Sequence, residues 1–412
     1  MSSATAVSAL AAARSRLEPV FDRIAATATE HEHAGTRPHA ETAALAQAGF
    51  GALRIPVEDG GAGLGIEEFF ELLVDLGAAD SNQPQIWRNH IAFVEDRLVG
   101  RTERDREWRR RIGAGAVIGG AWSELGTTSI LGETRLERVD GRLLLNGVKY
   151  YSTGSIYADW IGVLALAEDG AARLVLVDAR SHGVELVDDW DGFGQRATGS
   201  GTTRLRDVSI AEEHVLAFTD RFVSQEAVYQ LVLLAALAAI TRAVRDEAVA
   251  AVTARARSYP HGLAERPRDD AQVQQVVGRI AALAFVAEAA VGRAAAVLDT
   301  VWDRIDAGVD PTPSARAAAI AVYEAQIGVT DAALAASTLV FDALGSSGVG
   351  RQPALDRHWR NARTITSHNP RIYKERVVGD VRLNQADPLN IYAVPSVDPD
   401  ANPAPANTEA SA

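Results

Sequence analysis

Apolar residues recur every three or four positions from about residue 5 to 118, as in ETAALAQAG and IEEFFELLVDLGAAD. This spacing places apolar side chains on one face of a helix, so the sequence predicts an N-terminal α-helical domain over residues 1–118. Between these two helices, Pro56 and four glycines within six residues predict a loop in FGALRIPVEDGGAGLG.

The period changes to two in the middle of the chain. TRLERVDGRLLLNGVKYYSTG alternates apolar and polar residues around the turns VDGR and LNGV, and ARLVLVDARSHGVELV and GTTRLRDVSI continue the alternation. Such alternation, broken by short turns, is typical of half-buried strands. The sequence therefore predicts a central antiparallel β domain over residues 119–222.

Long helical stretches return after the β domain and are interrupted where prolines and glycines cluster. These interruptions lie at 258–270, 308–314 and 345–353. They leave four helices, and the sequence predicts a C-terminal four-helix bundle over residues 223–395. Residues 396–412 have almost nothing apolar to bury, which predicts a disordered tail. The fold class is thus α+β, with a β domain between two helical domains.

Composition excludes several classes of function. The formal net charge is −13 with scattered basic residues, which offers nucleic acid no positive stripe, and the chain contains no cysteine for disulfides or thiolate chemistry. His31 and His33 stand two apart and point away from each other on a helix, so no metal site is expected. The longest apolar run, at 231–240, is about half the roughly 20 residues of a membrane span. We expect a buried helix there, in a cytoplasmic protein without a membrane or nucleic-acid partner.

The order of the three domains resembles the acyl-CoA dehydrogenase fold, and three motifs strengthen the resemblance. LRIPVEDGGAGLG is similar to the N-terminal loop of that family, WSELGTTS to its flavin-facing strand end, and NGVKYYSTGS to its Lys-x-x-x-Thr strand beside the isoalloxazine ring. The resemblance covers nearly the whole chain and implies that Trp122 and Ser123 bind the flavin, with Thr153 near its N5 atom. Each of the three could instead be an ordinary strand residue.

The catalytic carboxylate of this family is missing from its usual place. There the base follows an Arg-Asp-Ala-Lys-like helix end, which RNAR at 360–363 resembles, so that His368 and Asn369 replace the tyrosine and glutamate of the family. Removal of an α-proton needs such a base. The other familiar place, on the first bundle helix, has Tyr229, with Glu226 about one helical turn earlier. Glu226 therefore stays open as an alternative base.

A flavoprotein of this fold without its carboxylate resembles the flavin-dependent monooxygenases built on the same scaffold. These include dibenzothiophene and dimethyl sulfone monooxygenases and the N-hydroxylating amine and aminosugar enzymes; DWDGFGQRATGSGTTRLRDV at 189–208 is the most similar stretch. The resemblance implies that reduced flavin and O₂ form a C4a-hydroperoxide, which oxygenates a small organic substrate, with sulfur compounds favoured. An FAD-dependent acyl-CoA dehydrogenase with a relocated base and a non-catalytic scaffold without flavin are the alternatives.

The resemblance also provides catalytic candidates. His368 lies past a helix end, and an imidazole with an ordinary pKa near 6.5 can donate or accept a proton, although it could also cap the helical carbonyls. Asn369 stands beside it in place of the glutamate of the family. Ser155 offers a hydroxyl within reach of the peroxide. His90 lies on a helix that lines the substrate side in this family, and an ordinary buried histidine is an equal alternative.

The resemblance favours FMN over FAD. FAD-binding members have an Arg-x-x-Phe-Gly segment on the bundle, where this chain has ARARSYPHGLAERPRDD, without the Phe-Gly and with prolines. It implies that Arg257, or Arg255, holds the FMN phosphate of a neighbouring subunit in a homotetramer, since a guanidinium matches a phosphate bidentately. Two solvated arginines are the alternative. Because no Gly-x-Gly-x-x-Gly follows a strand, a separate NAD(P)H flavin reductase must supply reduced FMN.

Overall fold

The computed structural model describes residues 3–126 and 132–389, so the predicted tail at 396–412 lies outside the described residues. Helices form the N-terminal part of the described chain. They are Ser3–Ala34 (α1), His39–Gln47 (α2), Ile66–Ala79 (α3), Gln83–Val99 (α4) and Glu103–Gly113 (α5). The apolar stripe of α3 packs into the main core through buried side chains such as Phe69, Phe70 and Leu73, as its periodicity predicts.

A buried ion pair connects the Gly-rich loop to α4. The Nε atom of Arg54 lies 2.8 Å from the Oε1 atom of Glu95, and their side chains are only 9% and 3% exposed. Arg54 also donates to the Leu64 carbonyl, and Glu95 accepts from the indole of Trp302 at 2.8 Å. Because a buried charge is costly unless it is fully hydrogen-bonded, these contacts fix α4 between the loop and the C-terminal helices.

The middle of the chain forms an eight-stranded sheet. Its strands are Ile118–Ala121 (β1), Arg135–Val139 (β2), Arg142–Lys149 (β3), Trp160–Ala167 (β4), Ala172–Asp178 (β5), Val184–Val187 (β6), Thr202–Ile210 (β7) and Val215–Ala217 (β8). Neighbouring strands run in the order β6-β7-β3-β2-β4-β5-β8, and β1 pairs with β4. Most pairs are antiparallel, as predicted, but β1 and β2 each pair with β4 in parallel. Local alternation does not encode this long-range pairing.

The two faces of the sheet bury different residues of the same strand. On β5, Val175 and Val177 belong to the internal core of the sheet, whereas Leu174 and Leu176 pack against Phe93 of α4 and neighbouring helical residues. Successive side chains of a strand point to opposite faces, so alternate residues of β5 pack into two different hydrophobic cores. This packing brings the N-terminal end of β1 and the middle of α4 together.

The C-terminal part of the described chain contains five helices. They are Gln225–Ala254 (α6), Ala271–Asp306 (α7), Thr312–Leu344 (α8), Asp356–His368 (α9) and Arg371–Asn384 (α10). The sequence predicts the first four, and α10 is an addition to the bundle. Pro370 ends α9 and directly precedes α10, because the fixed φ and missing N–H of proline suit a helix start. Val377 of α10 packs against Ile320 and Tyr323 of α8.

By length and composition alone, α6, α7 and the segment Thr312–Ser347 could each cross a membrane. In the folded chain, 83% of the most apolar 18-residue window of α6 is buried. Every residue from 231 to 240 is at most 1% exposed. The apolar run predicted as a buried helix therefore forms the centre of the bundle.

Candidate active site

A cavity of about 710 Å³ lies where the helical N-terminal part, the sheet and the bundle meet. This volume is typical of a small-molecule site. Its lining residues are Gln85, Arg88 and Asn89 of α4; Gly120, Trp122, Ser123, Tyr151 and Thr153 at strand ends; Trp190, Gly192, Phe193, Gln195 and Ser200 of the loop before β7; Arg221, Gln225, Glu226 and Tyr229 near the start of α6; and Thr364, Ile365, Ser367, His368 and Asn369 at the end of α9.

The polar face of α4 forms one wall of the cavity. Gln85, Arg88 and Asn89 are spaced i, i+3 and i+4, which places them on one side of a helix whose other residues are mostly buried. The Asn89 amide donates to the Thr153 carbonyl at 3.0 Å. A Cβ atom at Gly120 would lie 2.5 Å from Asn89, so glycine permits this close approach. This helix was expected to line the substrate side, but through His90; the three residues that form the wall were not predicted, although their polar character at helical spacing in QPQIWRNH was a signal.

The predicted flavin-binding residues Trp122, Ser123 and Thr153 all line the cavity. A bridge between two strand ends holds them, because the Tyr150 N–H donates to the Ser123 carbonyl at 2.8 Å. Lys149, which is fully buried, donates to the Trp122 carbonyl at 3.2 Å and pairs with Glu124 at 2.6 Å. The lysine of the Lys-x-x-x-Thr motif therefore positions the chain at Trp122.

The end of α9 places His368 against Arg88 of α4. The Nη1 atom of Arg88 lies 3.1 Å from the Nε2 atom of His368. A guanidinium only donates, so Nε2 accepts and the imidazole is neutral. His368 is exposed to the cavity, but the protein atoms around its ring displace water, and this desolvation, together with the positive charge of Arg88, lowers the pKa of His368 to about 3, although a hydrogen bond to the Asn369 side chain opposes this shift.

Arg88 and Asn369 connect this histidine to α6. The Nε atom of Arg88 donates to the Tyr229 carbonyl at 3.0 Å, and its guanidinium lies 4.7 Å from the centre of the Tyr229 ring. The Asn369 amide donates to the Gln230 side chain at 2.8 Å, and the Asn369 carbonyl accepts from Gln326 at 2.7 Å. His368 and Asn369 thus face the cavity from a position held by three helices.

Two predicted catalytic residues lie outside the cavity lining, which corrects the sequence analysis. Both ring nitrogens of His90 bind backbone: the Ile118 N–H donates to Nδ1 at 3.1 Å, and Nε2 donates to the Gly51 carbonyl at 2.9 Å. Burial lowers the pKa of His90 to about 4, so it is a neutral structural residue. Ser155 is 1% exposed and donates to the Gly120 carbonyl at 3.3 Å. Neither side chain is available to a substrate.

Glu226, the alternative base, also lines the cavity, from the first turn of α6. Loss of water around the carboxyl raises the pKa of Glu226, while the positive charges of Arg221 and Lys374 oppose the rise. Burial lowers the pKa of Lys374 to about 8, against the effect of Glu226. The Glu226 carboxylate therefore lies near two basic side chains at the edge of the cavity.

Arg257 and Arg255 follow the end of α6, outside the lining of the cavity. Arg257 is exposed and Arg255 is half-buried. Their predicted contact with FMN concerns a neighbouring subunit, so it stays a prediction.

The cavity wall contains two buried acceptors that fit a flavin. Among the described residues, the Oε1 atoms of Gln85 and Gln195 have no hydrogen-bond partner, and both glutamines line the cavity. A buried carbonyl without a donor is costly, so these atoms are suited to N–H groups of a bound molecule. An isoalloxazine ring offers such groups at its edge and a flat surface for Trp122. The residues present therefore fit the cofactor that the sequence predicts.

Two family models match the chain. The model of the acyl-CoA dehydrogenase middle domain matches residues 120–208, and the model of the C-terminal domain matches residues 232–370. The chain belongs to the acyl-CoA dehydrogenase superfamily, which confirms the predicted family and fold.

Within that superfamily, the chain is similar to monooxygenases. It is 29% identical over 385 residues to dibenzothiophene monooxygenase of Rhodococcus erythropolis, covering 88% of this chain and 91% of the relative. It is 25% identical over 376 residues to the probable FMNH2-dependent monooxygenase SfnC of Pseudomonas putida, covering 89% and 93%. The crystal structure of FMN-bound TdsC from Paenibacillus sp. A11-2 has a TM-score of 0.83 at 26% identity, covering 91% of this chain and 98% of that one.

Proposed function

We propose that this protein is the oxygenase of a two-component flavin-dependent monooxygenase, which uses reduced FMN and O₂ to oxygenate a small organic substrate. The observation that carries this proposal is the end of α9, where His368 and Asn369 face the cavity in place of the carboxylate of the family. Dehydrogenation lacks its usual base there. A neutral imidazole beside the cavity can instead hydrogen-bond the reacting oxygen, by exchanging one of its present contacts, to Arg88 or to Asn369, for that atom.

The chemistry assigns separate tasks to the cofactor and to the chain. Bound reduced FMN supplies two electrons and two hydrogens, so that one atom of O₂ enters the substrate and the other leaves as water. Arg88 orients His368 and, together with desolvation of the ring, keeps it neutral. Trp122, Trp190 and Phe193 line the cavity with aromatic surface, which excludes water and so limits release of H₂O₂.

Three further features belong to this proposal. A separate NAD(P)H flavin reductase supplies the reduced FMN. The substrate is a sulfur compound, in line with the similarity to dibenzothiophene monooxygenase. The protein acts in the cytoplasm, since a chain without cysteine suits a reducing compartment. It also assembles as a homotetramer. Phe285 and Val286 of α7 are 74% and 55% exposed, which suits contact with a second copy.

The test mixes the purified protein, loaded anaerobically with reduced FMN, with ¹⁸O₂ and a panel of thioethers, thiophenes, sulfinates and amines. We expect one ¹⁸O atom in the product, formation of water, and little H₂O₂ once the right substrate is present. Mass spectrometry of the product and a peroxidase assay measure these quantities. Absence of oxygenated product across the panel, together with release of all reducing equivalents as H₂O₂, would contradict the proposal.

Glu226 defines the competing reaction in the same experiment. If the chain were a dehydrogenase with a relocated base, it would retain FAD, and an acyl-CoA would bleach that flavin without any reductase. Glu226→Gln would then abolish the bleaching. For an oxygenase we expect no reduction by acyl-CoA, and Glu226→Gln should change product yield far less than His368→Gln does.

A further inference from the structure

Three hydroxyl groups form a row that leads from the cavity into the loop before β7. Thr153 Oγ1 lies 2.7 Å from Ser200 Oγ, which lies 2.7 Å from Thr198 Oγ1. Thr198 Oγ1 in turn donates to the Gln195 carbonyl at 2.8 Å. The three residues are at most 9% exposed, and only the first and second line the cavity.

The Gln195 carbonyl, at the inner end of the row, determines which way each of the three hydroxyls donates its hydrogen. Each hydroxyl has one hydrogen to donate, and a carbonyl can only accept. Thr198 uses its hydrogen on the Gln195 carbonyl, so it accepts from Ser200, which therefore accepts from Thr153. The competing contact of Thr153 Oγ1, to the Tyr151 carbonyl, is 3.4 Å long and correspondingly weak. The hydrogen of Thr153 consequently points into the row, and a lone pair remains for the cavity.

Two glutamines beside this row of hydroxyls also have hydrogen-bond acceptors to offer a bound molecule. The Nε2 atom of Gln195 donates to the Ser81 carbonyl at 3.1 Å, which fixes the orientation of the amide and leaves its buried Oε1 atom as an acceptor. Gln85 adds a second buried acceptor, also without a partner among the described residues. This part of the wall therefore offers acceptors to a bound molecule.

We propose that the row Thr153–Ser200–Thr198 makes the cavity select reduced FMN over oxidised FMN. The inference rests on the proposed function and on Thr153 lying near flavin N5. Reduced isoalloxazine has a hydrogen on N5, which the lone pair of Thr153 accepts. In the oxidised ring N5 is itself an acceptor, so two lone pairs face each other. Ser200 and Thr198 are positioning residues that act on the cofactor through Thr153.

Such selection has a direct use in a two-component system. The oxygenase must take reduced FMN from solution in competition with the oxidised form that each turnover releases. A site that favours the reduced form binds the incoming cofactor and releases the spent one, without any contact between oxygenase and reductase. The row of hydroxyls therefore favours replacement of oxidised FMN by reduced FMN after each turnover.

The test is an anaerobic titration of the protein with reduced FMN and, separately, with oxidised FMN, followed by tryptophan fluorescence. One hydrogen bond gained and one lone-pair clash avoided amount to about a tenfold preference for the reduced form in the wild type. The midpoint potential of bound FMN provides an independent readout. A tenfold preference raises this potential by about 30 mV for a two-electron couple.

Two variants interrupt the row at different points. Ser200→Ala removes the partner of Thr153, and Thr198→Val leaves Ser200 free to donate back to Thr153. Both should reduce the preference from about tenfold to near unity. Thr198→Ser retains the hydroxyl and should retain the preference. Thr203→Val is the matched control, because Thr203 is also buried and its hydroxyl has no partner among the described residues.

The outcomes separate this inference from the proposed function. Equal binding of both FMN forms to the wild type, or an unchanged ratio in both Ser200→Ala and Thr198→Val, would overturn the inference while product formation with reduced FMN upheld the oxygenase. Failure of the wild type to bind either form would overturn both. Far-UV circular dichroism identifies any variant that fails to fold. If Ser200→Ala or Thr198→Val is lost in this way, the binding ratio of the other, compared with that of Thr198→Ser, tests the inference.

Discussion

Arg88 helps to keep His368 neutral. Its guanidinium donates to the imidazole and places a positive charge beside it, which adds to the larger effect of desolvation on the pKa of the ring. The folded-state pKa of His368, about 3, lies below its ordinary value of 6.5. The neutral ring therefore stabilises the fold above pH 6.5, and this contribution is lost as the pH falls from 6.5 towards 3.

Replacement of Arg88 should make catalysis sensitive to acid. In the wild type we expect the ratio of product to H₂O₂ to stay flat from about pH 8 to about pH 5, since His368 remains neutral. Arg88→Met removes the neighbouring charge, so the pKa of His368 rises, although desolvation still holds it below its ordinary value, and the ratio should begin to fall at a higher pH than in the wild type. Arg88→Lys retains the charge and should stay flat. A wild-type inflection near pH 6.5 would contradict this assignment.

His368→Gln should uncouple the reaction. Loss of the positioned imidazole lowers oxygenation by about 10²-fold or more, while affinity for reduced FMN changes little. Product and H₂O₂ are measured together after a single turnover. His358→Gln is the control, because His358 lies on the same helix, is buried and pairs with Glu247 at 3.1 Å outside the cavity. Equal uncoupling in both variants would assign the effect to helix α9 as a whole.

The loop before β7 depends on α9 for its position. The Asn361 side chain accepts from the Gln195 N–H at 2.6 Å and donates to the Ser81 hydroxyl at 2.9 Å. A Cβ atom at Gly194 would lie 2.2 Å from the Arg360 carbonyl, so glycine allows the loop to approach the helix this closely. One asparagine thus connects the cavity loop, the bundle and the turn before α4.

Asn361→Ala should weaken both the fold and the site. Two buried partners lose their hydrogen bonds, which costs about 1–3 kcal/mol in the free energy of unfolding, and the affinity for reduced FMN should fall with it. Urea denaturation and fluorescence titration measure the two effects. Asn384→Ala removes an exposed asparagine of α10 and should stay within about 0.5 kcal/mol of the wild type. Unchanged cofactor affinity in Asn361→Ala would show that the loop does not need this anchor.

At the level of elements, local patterns predict most of the architecture. Periods of 3.6 and 2 separate helices from strands, and the flavin-dependent monooxygenase predicted from the motifs is confirmed by the comparisons. The parallel pairs of β4 depend on distant strands and have no local signal. His90 and Ser155 show why individual site residues are harder to predict from sequence: a side chain on the expected element can bind backbone instead of facing the cavity. Arg88 was missed because the three motifs that carry the resemblance lie outside α4.

At the scale of the whole molecule, the phosphate of FMN tests the predicted assembly. If Arg257 holds the phosphate of a cofactor bound to a neighbouring subunit, Arg257→Ala should weaken binding of reduced FMN about tenfold or more. Reduced riboflavin, which has no phosphate, should bind the variant and the wild type equally. Arg268→Ala provides an exposed arginine from the same connecting segment as the control. Equal loss for both flavins would contradict a phosphate role for Arg257.

The cavity is assembled from α4, the strand ends, the loop before β7, α6 and α9. Because each part of the fold contributes a wall, a molecule bound there is a ligand of the complete native state alone. By mass action, reduced cofactor at 100 times its dissociation constant adds about 2.7 kcal/mol to the stability of the chain. The supply of electrons in the cell thereby becomes a determinant of how long each copy of this protein survives proteolysis.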